Sequence, residues 1–160
     1  MNIRRLWGFV ALGVLTAGAA AAPASAAPMG PSTAADLCGP GYVVVRSEQV
    51  VRFDDALPAG TVHIEYNPLT RSFCGFAVKS RWIGTATDMH VATVGADMET
   101  TPLNSVSGPG FYAIGPSRQQ AWEDGGKNCV LFGARIADPQ GKQYFHQSAN
   151  PAVGFTRLCV

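Results

Sequence analysis

Residues 61–80 read TVHIEYNPLTRSFCGFAVKS, two extended runs joined by a turn. In the first run Val62, Ile64 and Tyr66 share one face while His63 and Glu65 share the other, the period-two alternation of a half-buried strand. Pro68–Arg71 supply the turn. In the second run Cys74, Phe76 and Val78 lie on one face and Phe73 and Ala77 on the other, so Cys74 can bridge from a packed side of a sheet. Similar runs recur along the chain at 41–47 (GYVVVRS), 87–96 (TDMHVATVGA), 111–117 (FYAIGPS), 129–136 (CVLFGARI), 142–148 (KQYFHQS) and 153–160 (VGFTRLCV). In CVLFGARI, Val130, Phe132, Ala134 and Ile136 form the core file, opposite Cys129 and Leu131. Segment 97–110, DMETTPLNSVSGPG, reads as a long surface loop, and RQQAWEDGG at 118–126 reads as one short helical turn before its glycines. Seven or eight short strands with frequent Gly and Pro, and no room for crossover helices, predict an all-β fold: a compact antiparallel sandwich or barrel. Its edge strands should be protected by bulges, turns or terminal segments.

The amino end has the layout of an export signal. MNIRR is positively charged, LWGFVALGVLTAGAAAA is apolar, and Ala24 and Ala26 place small residues before a cut, so residues 1–26 read as a signal peptide. The apolar stretch is short and alanine-rich for a bilayer span, which needs about 20 residues, so no membrane span is expected after cleavage. Residues 27–37 read as a flexible lead and 38–160 as one domain. Cleavage leaves 134 residues with 10 Lys and Arg against 11 Asp and Glu. Without a basic tract to line up against phosphates, no nucleic-acid partner is expected.

Cys38, Cys74, Cys129 and Cys159 are separated by 36, 55 and 30 positions, which matches neither a zinc knuckle nor a Cys-x-x-Cys redox pair. An even count in an exported chain predicts two disulfides. Sequential pairing would close each half independently, nested pairing would tie the termini together, and spacing does not choose among the three connectivities.

Chemical motifs are sparse. His63, His90 and His146 lie in no metal-ligand spacing, and His63 with Glu65 reads as a solvated pair on a strand face. Ser148 is the serine nearest His146, with Asp124 and Asp138 as carboxylates that only the fold could bring near. The acidic pairs Asp54–Asp55 and Glu123–Asp124 lack calcium-loop spacing and read as turn or surface groups. No catalytic residue, metal site or cofactor is expected. Among the aromatics, Trp82 and Trp122 stand near charged and turn-forming residues and are the candidates for an exposed contact with a partner.

The order CGPGYVVV, GTVHIEYNPLTRSFCGFAV, SGPGFYAIGP, GGKNCVLFGARI and a cysteine at the extreme end resembles the small secreted spore-associated protein A family of filamentous actinobacteria, over about residues 38–159. On that resemblance Cys38, Cys74, Cys129 and Cys159 match the family cysteines, and Tyr66 and Asn67 match the pair before the second. It implies an exported, disulfide-bearing β-domain at the cell or spore surface, with no catalytic constellation. Two departures, the absence of a tryptophan in CVLFGARI and the segment TDMHVATVGADMETTP, bear on partner and biological role rather than fold. The expected function is a noncatalytic structural or interaction protein, partnered by a cell-surface protein or polysaccharide. The alternatives are a small secreted hydrolase, a carbohydrate-binding module, or a protease inhibitor presenting the 99–110 loop.

Overall fold

A computed structural model describes residues 37–52, 54–96, 103–150 and 154–160. The predicted signal peptide, the lead before Leu37 and most of the predicted 97–110 loop's first half fall outside the described residues. Ten strands follow: β1 Val43–Arg52, β2 Asp55–Asn67, β3 Ser72–Lys79, β4 Thr87–Val94, β5 Asn104–Gly110, β6 Ala113–Gln120, β7 Trp122–Asp124, β8 Lys127–Ala137, β9 Gln143–His146 and β10 Thr156–Cys159. Every pairing is antiparallel. Eight strands run in the order β5-β4-β8-β9-β1-β2-β3-β6, while β7 and β10 attach to β8, giving a nearly closed barrel.

Both edges of β8 are paired over most of its length. On one edge Asn128 lies beside Glu123 of β7, and Leu131–Ile136 lie beside β4. On the other, Cys129–Phe132 pair with β10 and Arg135–Ala137 with β9. The alternation of CVLFGARI sends Val130, Phe132, Ala134 and Ile136 into the core, where they meet Val62, Ile64, Tyr66, Phe73, Ala77, Met89 and Val91. Gly133 points outward beneath the returning chain, because a Cβ there would lie 2.8 Å from the Gly154 carbonyl and 3.0 Å from the Phe155 ring.

Three predictions about local structure are corrected. Residues 104–110 form β5 rather than loop, because period-two contacts with β4 from Thr93 to Thr87 outweigh the weak strand propensity of NSVSGPG. The predicted helical turn in 118–126 is instead the end of β6 and a β7–β8 hairpin. Gly125 and Gly126 both have positive φ (58° and 78°), the backbone a two-residue hairpin loop demands. The outer face of β2 and β3 is not solvated either. Sequential disulfides, Cys38–Cys74 and Cys129–Cys159, are the pairing formed. The first lays Leu37–Tyr42 over that face, where Cys38, Cys74 and Phe76 make a second small core. Glu65 pairs across from Cys74 and is accordingly buried, and His63 stacks on Phe76 at 5.1 Å.

The barrel stops short of closure between β5 and β6, where side chains replace ladder hydrogen bonds. Ser117 Oγ donates to the Asn104 carbonyl (2.6 Å) and accepts from the Thr93 N–H (3.0 Å), while Asn104 Nδ2 donates to Gln119 Oε1 (2.5 Å). Pro116, which has no N–H, and Pro109 account for part of the missing ladder. The free stretch of β1 carries a bulge between Val44 and Arg46, one of the expected protections of an edge.

Gly60 is closely packed on two sides: a Cβ there would lie 2.2 Å from the Val78 carbonyl oxygen of the neighbouring β3 and 2.6 Å from Ile136 Cδ1 of β8. Gly60→Ala should destabilise the fold by about 1–3 kcal/mol through overpacking, read as a lower denaturation midpoint, whereas a surface Gly126→Ala loss would reflect only its φ. An unchanged midpoint for Gly60→Ala would show that the position is not closely packed.

Candidate functional site

Antiparallel winding gathers the β1–β2, β3–β4, β5–β6 and β8–β9 turns at one end of the barrel. A cleft of about 360 Å3 opens there among Arg52, Asp54, Asp55, Arg81, Lys142 and Tyr144. At its centre Asp55 Oδ2 accepts from the Tyr144 hydroxyl (2.6 Å) and from Arg81 Nη1 (2.7 Å), while Oδ1 accepts from the Leu57 N–H (3.0 Å). Those hydrogen bonds, Tyr144 first, hold the Asp55 carboxyl well below the usual carboxylate range, and the same bond pushes the Tyr144 phenol up. Arg52 forks onto Asp54 with Nε and Nη2. The adjacent carboxylates, Asp54 in the turn and Asp55 at the start of β2, thus line one cleft but serve different partners.

Trp82 sits on the rim with φ of 52°, a left-handed conformation that bulky residues seldom adopt. The Thr85 N–H donates to its carbonyl and the Gly84 N–H to that of Phe111, tying the loop down. The Arg81 guanidinium lies 4.4 Å from the indole centroid, and the Tyr144 ring meets the indole edge-on at 5.4 Å. Trp82 is therefore half-buried with one face capped by arginine, not the open platform its neighbours in sequence imply. Trp122 is likewise half-buried against the core, with Arg157 5.8 Å from its ring centroid at the opposite barrel end. The two tryptophans do not meet. What is open beside Trp82 is aliphatic and aromatic: Leu57 is 61% exposed, Ile83 59% and Phe111 48%.

Lys79, which the sequence reading passed over, closes the interior beneath this rim. It continues the inward file Phe73, Gly75, Ala77 by strict alternation, and that file is the signal that would have found it. Its buried Nζ donates to the carbonyls of Gly110 (2.6 Å) and Thr85 (2.8 Å), stitching β3 to two turns, and burial pushes its pKa down.

His146 is the only histidine deep in the core, 2% exposed. Its Nδ1 accepts from the Ala134 N–H (3.2 Å), which leaves Nε2 as the protonated nitrogen facing Thr156 Oγ1 at 3.1 Å. Thr156 in turn donates to the Ser148 carbonyl, and the Ser148 hydroxyl donates to Glu48 Oε2 at 2.5 Å. The carboxylate beside Ser148 is thus Glu48, from β1. Asp124 pairs with Arg157, and Asp138 accepts the Gln140 and Lys142 N–H groups in the β8–β9 turn. In this arrangement the serine proton already belongs to a carboxylate, and the imidazole lone pair points at a backbone N–H. A histidine that removes a proton from serine needs the reverse polarity, so these bonds tie Ser148 and Thr156 to one another and to β1 instead of activating a nucleophile. Burial opposes ionisation of Glu48, but bonds from Ser148 and Arg46 outweigh it and hold its pKa below the ordinary value.

His63 and His90 are separate: His63 Nδ1 shares a proton with Ser47 Oγ (2.9 Å), and His90 lies near Arg135 and Asp88. Among the described residues no three His, Cys, Asp or Glu side chains gather to hold a metal ion, and no helix is long and apolar enough to cross a membrane. Comparison with protein-family models, characterised proteins and solved structures yields no match.

Burial lowers the pKa of all three histidines, so the unfolded chain binds protons that the folded one refuses. That stability is complete above the unfolded value near 6.5 and is lost as pH falls from there towards the folded values. Asp55 and Glu48, also depressed, lose theirs only below about pH 4. Denaturant midpoints should therefore decline in two stages on acidification, and His146→Gln should flatten the first stage. An identical slope in the variant would remove His146 from the account.

Proposed function

We propose that this chain is a noncatalytic extracellular interaction protein, held at the cell or spore surface through the barrel end that carries Trp82. The observation that carries the reading is a contrast in side-chain use. At that end most of the polar groups of the cleft are engaged, Asp55 with Tyr144 and Arg81, Asp54 with Arg52, Lys79 with two carbonyls, while Leu57, Ile83 and Phe111 stand exposed. Apolar groups on a rigid, polar-rimmed platform favour contact with another surface over turnover. Two disulfides are compatible with an extracellular location, and the export signal read at residues 1–26 and the resemblance to the spore-associated protein A family support it. A surface polysaccharide or surface protein is the partner class.

Co-sedimentation of the oxidised chain with isolated actinobacterial cell walls tests this. Retention should be saturable, and affinity should fall about thirtyfold or more for the double variant Leu57→Asp, Ile83→Asp, since two anchors buried on binding contribute on the order of 1 kcal/mol or more each. Equal sedimentation of the variant and the parent, with both folded by circular dichroism, would place the contact elsewhere or nowhere.

A further inference from the structure

The two disulfides are unequally placed for chemistry. Cys38, Cys74 and Cys129 are buried, at 3%, 0% and 0% exposure, and among the four only Cys159 reaches solvent. Cys129 and Cys159 face each other directly on β8 and β10, with Cα atoms 4.1 Å apart. The flanking pair, Asn128 and Val160, exchanges both backbone hydrogen bonds, so the disulfide occupies the closer, non-hydrogen-bonded position of the ladder. β10 pairs with β8 alone.

Arg157, two residues before Cys159, lies over this disulfide. Its Nε donates to Cys159 Sγ at 3.3 Å and its Nη2 to Cys129 Sγ at 3.7 Å. Asp124 pairs with the same guanidinium and Trp122 lies 5.8 Å beneath it, so the cation is clamped against the sulfurs. The Asp124 charge offsets part of the field, but the N–H groups remain aimed at both sulfurs. A cation in this position stabilises a thiolate, and a disulfide exchanges faster when its departing sulfur is the more stable thiolate.

We propose that Cys129–Cys159 is a site of thiol–disulfide exchange with external thiols, attacked at Cys159 and assisted by Arg157, while Cys38–Cys74 stays closed. The incoming thiolate forms a bond to Cys159 Sγ. The Cys129–Cys159 bond breaks, and its electron pair leaves on Cys129 Sγ, where Arg157 Nη2 holds it until water supplies a proton. The product is a mixed disulfide at Cys159 with a buried Cys129 thiol. One thiol equivalent is consumed and no other oxidant or reductant is needed. Such a bond would attach a thiol-bearing molecule covalently at the last strand.

The test uses the oxidised chain and excess reduced glutathione at mildly alkaline pH, quenched with N-ethylmaleimide and mapped by mass spectrometry. Glutathione should appear on Cys159 and the maleimide on Cys129, with Cys38–Cys74 intact. R157Q should slow exchange about fivefold by raising the pKa of the departing thiol, and R157K should restore most of the rate. A variant that merely loosened β10 would exchange faster, so the sign of the change separates the two effects. Adducts on Cys38 or Cys74 at an equal or earlier time, an adduct on Cys129, or an R157Q rate equal to or above the parent would overturn the proposal.

Discussion

The double-edged pairing of β8 is the constraint on which the remainder rests. One strand of eleven residues supplies hydrogen bonds to β7 and β4 on one side and to β10 and β9 on the other. Lys127–Ala137 contains no proline, so every residue keeps an N–H to donate, and on the edge shared by β10 and β9 the gap at Gly133–Ala134 is filled by His146, whose Nδ1 accepts the Ala134 N–H. Its inward file fills the core, and its outward Gly133 leaves room for Phe155, which brings the chain back in line for β10. Placing β9 and β10 end to end on one edge also fixes where the chain leaves the barrel wall after His146 and where it rejoins it at Thr156. The bonds among His146, Thr156, Ser148 and Glu48 tie those two points together and to β1.

Among the described residues few buried polar side-chain atoms lack a partner, and this shapes what the barrel can do. A chain of this size buries a modest core, so its interior ions and imidazole persist where hydrogen bonds satisfy them. Lys79 finds two carbonyls, His146 a backbone N–H and a hydroxyl, Asp55 three donors. Groups engaged in this way stiffen the barrel and are poorly disposed to move protons for a substrate. The disulfides divide the work further: one pins the amino-terminal segment over the outer face of β2 and β3, the other ties the last strand to β8.

The alternation within 61–80 and 129–136 was enough to read the fold class, the core faces and the packed setting of Cys74, because period two is a local property of the chain. Weak-propensity strands were not legible in the same way. NSVSGPG became β5 only because β4 offered a partner, and Trp122–Asp124 became a strand because two glycines turned the chain back. The outer cover on β2 depended on which cysteines pair, which spacing left open, and so Glu65 and His63 were read as solvated. At the rim, Trp82 was singled out from its neighbours, yet its arginine cap and its contact with Tyr144 follow from a bond joining positions 55 and 144. No local pattern encodes that. Lys79 was legible, had the alternation of β3 been followed to its end.

Native-state hydrogen exchange, read residue by residue, tests the central place of β8 most directly. The slowest amides should be those of Val130–Ile136 and their partners in β4, opening only with global unfolding, while the β5–β6 gap, closed by side chains, should exchange by smaller openings. Amides of β8 exchanging as fast as those of β5 and β6 would contradict the account, because the strand that organises the barrel would then be no more stable than its weakest join.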